Sequence, residues 1–197
     1  MSETIEAAID SRPFIVGLGG TVRPASSSER ALAKAMAAAE AAGARTRMFG
    51  GEYLARMPIY NPAEPGLHDE RSDFLEAVRL ADGVIVATPG YHGSISGLVK
   101  NALDSVEGLR EDVRPYFDGR AVGIIVAADG WQACGSTLAA VRSIIHAMRG
   151  WPTPLGATLN SATGLFDEAG DFRDRRDAWQ VETVAQQVVQ FARMVKA

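Results

Sequence analysis

The chain has 197 residues and a formal net charge of -4, with 47% hydrophobic and 22% charged residues. This composition is typical of a globular protein with its own hydrophobic core, and it excludes a fibrous or disordered chain. The acidic balance and the lack of a Lys/Arg cluster that could follow a nucleic-acid backbone exclude a nucleic-acid partner from our expectations.

The sequence also bears on location and domain organisation. No apolar run approaches the roughly 20 residues needed to cross a membrane, and the acidic residues 1–12 do not resemble a signal peptide. The single cysteine, Cys134, cannot form an internal disulfide, which favours a reducing compartment. We therefore expect one cytoplasmic domain over residues 1–197, with residues 1–12 as a polar leader and no membrane partner.

In the first half of the chain, hydrophobic runs alternate with helical periodicity. A buried strand ends at Gly19-Gly20, and the alanine-rich helix that follows has Gly43 in the position where helices stop. The proline-rich stretch before Gly66 indicates irregular structure. The predicted elements are strands at 14–18 and 44–49, helices at 28–42 and 68–81, and an irregular segment at 50–66.

The second half is organised around an apolar strand, 84–87, that enters a glycine-containing loop and leaves it as a helix. Ser94 is the predicted N-cap of that helix. A last amphipathic helix is expected to turn Trp179, Val184, Val188 and Phe191 inward. The predicted elements are strands at 84–87, 121–127 and 153–159, and helices at 94–104, 135–148 and 172–195. Five strands alternating with five helices predict an α/β fold, a doubly wound parallel sheet covered on both faces.

The loop after the first strand has the composition of a phosphate site. Hydroxyls and a guanidinium surround the start of a helix, whose free N–H groups and dipole favour an anion. A Rossmann fingerprint is disfavoured because Val22 takes the place of its third glycine, and no acidic residue ends the second strand. The alternative is that the three serines only cap the helix. The residues concerned are Thr21, Arg23, Ser26, Ser27 and Ser28.

Two further loops follow buried strands, and in a parallel sheet both lie at the carboxyl edge, where ligands bind. One contains Tyr91 and His92, whose alternative roles are packing and an ordinary surface histidine. The other is Asp129-Gly130-Trp131, where Trp131 could instead be an oligomer contact. Cys134 has no spacing to a histidine that suggests a nucleophile and base, and no histidine–carboxylate group has metal-ligand spacing. We expect neither a nucleophile nor a metal site.

The run from Pro89 to Asp104 resembles the ring-binding loop and following helix of the NADPH-dependent FMN reductase family. The family pattern is proline, a variable residue, tyrosine, asparagine, glycine, serine and isoleucine, followed by a lysine-asparagine-alanine-leucine-aspartate run. This sequence has Gly90 where glutamate is common and His92 where asparagine is usual. Thr21, Arg23 and Ser26 also match the family's flavin-phosphate loop, with Ser28 where asparagine is common.

The resemblance implies a flavodoxin-like sheet with strand order 2-1-3-4-5 and a homodimer or homotetramer. It implies FMN as the flavin, NADPH or NADH as the hydride donor, and no catalytic acid–base residues. The Tyr91 loop would line one side of the flavin, and the loop at Asp129 would direct N–H groups at its pyrimidine. The implied FMN-binding residues are Thr21, Arg23, Ser26, Ser27, Ser28, Pro89, Gly90, Tyr91, His92, Gly93, Ser94, Asp129, Gly130 and Trp131.

Three functions remain open at this point. The first is an NAD(P)H:FMN oxidoreductase that supplies reduced FMN to a partner monooxygenase. The second is a quinone, azo or metal reductase that keeps its FMN bound. The third is a flavodoxin-type electron carrier, which the modest net charge and the arginine at position 23 argue against.

Overall fold

The computed structural model describes residues 11–63 and 69–196. Within them, each of the first four strands is followed by at least one helix, as the hydrophobic pattern predicts. The strands are β1 Phe14–Gly19, β2 Arg45–Phe49, β3 Gly83–Pro89, β4 Ala121–Ala128, β5 Trp151–Pro152 and β6 Ala157–Asn160. The α-helices are α1 Ser27–Ala41, α2 Gly51–Arg56, α3 Asp69–Leu80, α4 Gly97–Ser105, α5 Trp131–Ala147 and α6 Arg175–Lys196.

All of the strands pair in parallel, in the order β2-β1-β3-β4-β5, with β6 also paired to β4. This confirms the predicted doubly wound sheet and its strand order. Of the fifth strand predicted at 153–159 only the part in β6 forms; β5 precedes it, and Pro154, which has no N–H to give to a ladder, lies in the gap between the two. The Pro154 carbonyl accepts a hydrogen bond of 2.9 Å from the Arg142 Nη2 instead.

Side-chain alternation along the central strands builds one core on each face of the sheet. Val84 and Val86 pack towards α2, α3, α4 and α5, whereas Ile85 and Ala87 pack towards α1 and α6. Every residue of β3 and β4 is buried. Strands covered on both faces read as continuous apolar runs, which is why these two were predictable from sequence.

Several helix boundaries differ from the sequence prediction. The segment 50–66, predicted to be irregular, contains α2. Helix α5 begins at Trp131 instead of residue 135, and α6 begins at Arg175 instead of residue 172. Trp179 is 55% exposed, so its predicted inward orientation is wrong, while Val184 and Val188 are buried.

Helix α4 begins later than predicted because Ser94 is not its N-cap. Ser96 caps the helix, with its Oγ accepting from the Val99 N–H at 3.3 Å. Of the predicted leader only residues 11 and 12 are described, and His68 lies outside the described residues. None of the described helices is long and apolar enough to span a membrane.

Candidate functional site

The carboxyl ends of β1, β3, β4 and β6 meet at one edge of the sheet, as parallel pairing requires. A cavity of about 460 Å³ lies between the loops that follow these strands. Its volume is within the range typical of small-molecule sites. The lining residues are Thr21, Arg23, Ser26, Ser27, Ser28, Pro89, Gly90, Tyr91, Ala127, Ala128, Asp129, Ser161 and Ala162.

The first loop leaves β1 through two glycines that packing requires. A Cβ on Gly19, whose φ is +151°, would lie 2.0 Å from the Ala87 carbonyl oxygen. Gly20 donates its N–H to the same carbonyl at 3.2 Å. The glycine pair therefore allows β1 to end in close contact with β3. Six further residues separate Gly20 from the start of α1, which differs from the short turn of a dinucleotide fingerprint.

Two of the hydroxyl groups in this loop accept hydrogen bonds from the protein's own backbone. Ser26 is the N-cap of α1, and its Oγ accepts from the Glu29 N–H at 3.3 Å. Thr21 Oγ1 accepts from the Arg23 N–H at 3.0 Å. Because an N-cap satisfies only one of the free donors of a first helical turn, the N–H groups of Ser27 and Ser28 are left for a ligand or solvent at the cavity wall.

Arg23 and the backbone beside it complete the anion-binding character of the loop. The Arg23 side chain is exposed where the loop lines the cavity. Ala25 has φ +52°, a left-handed conformation that costs a non-glycine residue about 1–2 kcal/mol. Strain of this kind persists where the surrounding structure holds it in place. Arg23 and the first residues of a 15-residue helix, Ser27 and Ser28, thus line one cavity.

The loop after β3 contains a two-residue hairpin turn. Tyr91 and Ser94 exchange two backbone hydrogen bonds of 3.0 Å, and His92 and Gly93 have φ +52° and +78°. Positive φ at both central residues defines a type I′ turn, for which asparagine–glycine is the preferred pair. His92 therefore stands at a turn position that favours asparagine, which explains why asparagine is usual there in the family that the sequence resembles.

Only the start of this turn borders the cavity. Pro89, Gly90 and Tyr91 line it, whereas His92, Gly93 and Ser94 do not. Gly90 has no room for a side chain, since a Cβ would lie 2.8 Å from the Ala128 Cβ and 2.9 Å from the Thr137 Oγ1.

The loop after β4 supplies the opposite wall through its first residues only. Asp129 lines the cavity, but the Gly130 N–H donates to Asn160 Oδ1 and Ala128 O, both at 3.1 Å. The expected direction of that N–H towards a flavin is therefore not what the structure shows. Trp131 starts α5 and does not line this cavity.

Sequence reasoning missed four lining residues: Ala127, Ala128, Ser161 and Ala162. The first two end β4, and the other two follow β6, so the carboxyl-end rule could have found them. Their small apolar or hydroxyl side chains gave no chemical signal of their own.

Cys134 lies inside α5 and has a structural environment. Its Sγ is 3.4 Å from the Leu159 carbonyl oxygen, and burial raises the pKa of the thiol above its ordinary value. A raised pKa disfavours the thiolate that a nucleophile needs. His146 is exposed in the last turn of the same helix. The described residues contain no group of three potential metal ligands.

The helix motif of the resemblance also has a structural role. Asn101 is buried; its Oδ1 accepts from the Tyr60 N–H at 2.8 Å, and its Nδ2 donates to the Pro58 carbonyl at 3.2 Å. Lys100 and Asp104 form an exposed pair one turn apart, at 2.6 Å. The motif therefore fixes the segment around residue 58 to α4.

A parallel sheet of this strand order, with a cavity between the loops at its carboxyl edge, is typical of the flavodoxin-like class. The family model for NADPH-dependent FMN reductases matches residues 13–164, more than half of the chain, and the protein belongs to that family.

Individual proteins agree with this assignment. An FMN-dependent NADPH-azoreductase of Staphylococcus aureus is 29% identical over 111 residues, 56% of this chain and 55% of the relative. The chain thus spans about half the length of the curated relatives it matches. The flavoenzyme FerB, an NAD(P)H:(acceptor) oxidoreductase from Paracoccus denitrificans, superposes with TM-score 0.70 at 19% identity, covering 91% of this chain and 97% of that one.

A WrbA-like flavodoxin from Agrobacterium tumefaciens superposes with TM-score 0.64 at 17% identity, covering 92% of this chain and 98% of that one. At such identities the likeness shows the fold, and it confirms the flavodoxin-like architecture.

Proposed function

We propose that the protein is an NAD(P)H-dependent FMN reductase that binds FMN in the cavity at the carboxyl edge of the sheet. The observation that carries the proposal is the anion-binding loop facing that cavity, with Arg23 and the start of α1 on one wall. Family membership and the azoreductase relative support the same activity.

The residues present fit FMN. Its terminal phosphate carries nearly two charges and suits the Arg23 guanidinium, the N–H groups of Ser27 and Ser28, and the helix dipole. The backbone-rich walls at Gly90 and Ala128 would admit a flat ring system, because neither places a bulky side chain in the cavity. FAD lacks a terminal phosphate, so we expect FMN to be preferred.

The protein's part in such a reaction is binding and orientation. Bound FMN would supply the hydride chemistry, so the site needs no acid–base triad. Asp129 is the one carboxylate among the described lining residues, and no histidine lines the cavity within the described chain. The walls would hold the two reacting partners at close approach and exclude water from them.

We propose loose binding, such that FMN acts as a substrate and can feed a partner monooxygenase. The hydroxyl oxygens of Thr21 and Ser26 accept hydrogen bonds from the protein backbone, which leaves fewer groups to bind the phosphate. A dissociation constant near micromolar would follow, which corresponds to a binding free energy of about 8 kcal/mol. Gly90 and His92 carry no information on the affinity, because packing accounts for the glycine and the turn position accounts for the histidine.

The second candidate function is an azo or quinone reductase that retains FMN, and the azoreductase relative favours it. The two are separated by mixing purified protein with NADPH or NADH and following nicotinamide absorbance. The first candidate predicts a colourless preparation whose turnover saturates with added FMN. A yellow preparation that keeps its flavin through gel filtration and reduces dyes without added FMN would favour the second. No nicotinamide oxidation under either condition would contradict both.

We also propose assembly into a homodimer or homotetramer, as family membership implies. Tyr91 is 54% exposed beside the cavity, and a second copy packed there would shield a reduced flavin from water. Light scattering at micromolar concentration should give a mass above 20.9 kDa. A fully active monomer would contradict the proposal.

A cytoplasmic location stays a prediction from the composition.

A further inference from the structure

A second cavity, of about 740 Å³, adjoins the same two segments as the first. Asp129 and Ser161 line the first cavity, whereas Trp131 and Asn160 line the second. Asn160 ties the segments together, because its Oδ1 accepts from both the Gly130 N–H and the Ala162 N–H at 3.1 Å. A ligand longer than a mononucleotide could therefore extend from one cavity into the other. The second cavity is lined by Trp131, Asn160, Gly164, Arg173, Asp174, Arg175, Arg176 and Asp177.

Trp131 gives this cavity an aromatic surface. Its side chain is 61% exposed although it stands at the first residue of α5, directly after a glycine held by Asn160. An exposed indole on a fixed backbone is a stacking platform for a flat heterocycle such as adenine. The FMN cavity does not account for this exposure, since Trp131 does not line it.

Three arginines give the same cavity a positive wall. Arg173 is held in place by its Nε, which donates to the Phe166 carbonyl at 2.9 Å. Arg175 and Arg176 are exposed, and across residues 11–63 and 69–196 neither forms an ion pair within 4.0 Å. In a chain of net charge -4, three arginines within four positions are a local concentration of positive charge.

The two carboxylates of the cavity only partly offset this charge. Asp174 Oδ1 accepts from the Arg176 N–H at 2.8 Å and so caps the start of α6. Burial, followed by the nearby charge of Asp174, raises the pKa of Asp177 above its ordinary value. Three arginines against two aspartates leave the cavity lining with a net positive charge that an incoming anion meets.

We propose that this cavity binds the adenosine 2′-phosphate end of NADPH, with the adenine on Trp131 and the phosphate at Arg175 and Arg176. The inference rests on the proposed function and deepens it, because it makes NADPH the preferred donor. The 2′-phosphate distinguishes NADPH from NADH and carries up to two charges, which guanidinium groups bind well. The arginines follow residue 164, so they lie outside the segment matched by the family model.

A binding measurement tests the inference without turnover. Adenosine 2′,5′-bisphosphate is titrated into the protein by calorimetry and compared with adenosine 5′-monophosphate. We expect the bisphosphate to bind more tightly, and Arg176→Gln to weaken it about tenfold, as loss of one charge-assisted contact implies. Arg110→Gln is the matched control, since Arg110 is exposed and lines neither cavity. Equal affinity of the bisphosphate for wild type and Arg176→Gln would overturn the inference.

Kinetics with FMN separate this inference from the proposed function. For Arg176→Gln we expect the ratio of kcat/KM for NADPH over NADH to fall about tenfold, whereas Trp131→Leu should raise KM for both donors. A wild-type protein that prefers NADH, or a ratio that Arg176→Gln leaves unchanged, would overturn the inference while FMN reduction still stands. If Arg176→Gln raises KM only for a sulfonated azo dye, the cavity serves the electron acceptor and the donor assignment is wrong. If wild type oxidises neither donor, the proposed function fails and the calorimetry alone decides the cavity.

Discussion

At the scale of single residues, the structure separates groups that bind from groups that shape the backbone. The serines and the threonine after β1 divide these roles: Thr21 and Ser26 accept hydrogen bonds from the protein's own backbone, while Ser27 and Ser28 line the cavity at the first turn of α1. The two sequence interpretations, a phosphate site and a helix cap, are thus compatible. Composition could propose both, but only the hydrogen bonds assign each hydroxyl.

Cys134 should be unreactive in the folded protein. Burial raises the pKa of its thiol, so the reactive thiolate is scarce at neutral pH, and the side chain is inaccessible. We expect Ellman's reagent to label the native protein far more slowly than the protein unfolded in guanidinium. Rapid labelling of the native state would show that α5 opens readily or that the thiol is activated.

His92 should be replaceable by the residue that its turn prefers. Asparagine tolerates a left-handed conformation better than histidine, so His92→Asn should raise the free energy of unfolding by up to about 0.5 kcal/mol. His146→Asn, on an exposed helical histidine, is the control and should be neutral or slightly destabilising. Urea denaturation of both variants makes the comparison, and a loss of stability in His92→Asn would argue against the turn assignment.

At the scale of elements, α2 supports the phosphate loop. The Gly51 N–H donates to Glu29 Oε1 at 3.0 Å, and a Cβ on Gly51 would lie 1.9 Å from the Thr21 carbonyl oxygen. This helix was not predicted, because its six residues are too few for a periodic pattern to emerge among glycines and prolines. Its function is visible only in the packing.

Gly51 and Gly97 form a matched pair, since each is the first residue of a helix. Gly51→Ala forces its Cβ into backbone and should destabilise the protein by about 1–3 kcal/mol and weaken FMN binding. Gly97→Ala meets nothing within 4 Å and should be neutral or stabilising by about 0.5–1 kcal/mol. Thermal unfolding and an FMN titration of each variant are the measurements. If the two variants had equal stability and equal FMN affinity, the proposal that α2 supports the phosphate loop would be contradicted.

At the scale of the whole molecule, the sheet was the most predictable feature. Strands buried on both faces, such as β3 and β4, carry a continuous apolar signal, and their alternation with helices fixes the topology. Helix starts were less predictable. The helix α5 was predicted to begin at Gly135, but it begins four residues earlier, at Trp131, with Gly130 as its N-cap. Propensity at one residue does not outweigh tertiary packing.

The candidate site was predictable only in part, for a similar reason. The resemblance placed His92, Gly93 and Ser94 in the site with Tyr91, but these three residues belong to a type I′ turn and do not line the cavity. The residues after β6 were missed because Ser161 and Ala162 carry no chemical signature. What identified the site was the meeting of strand ends, which is a property of the fold as a whole.

The most direct test of the central claim is an FMN titration, followed by flavin fluorescence, of wild type, Arg23→Ala and the control Arg110→Gln. Arg23→Ala removes a charge-assisted contact worth roughly 1.5–3 kcal/mol, so affinity should fall about tenfold or more. Arg110→Gln should match wild type, since Arg110 lies outside the cavity. If FMN binds wild type and Arg23→Ala equally, or binds neither, the loop after β1 is not a flavin-phosphate site and the account is contradicted.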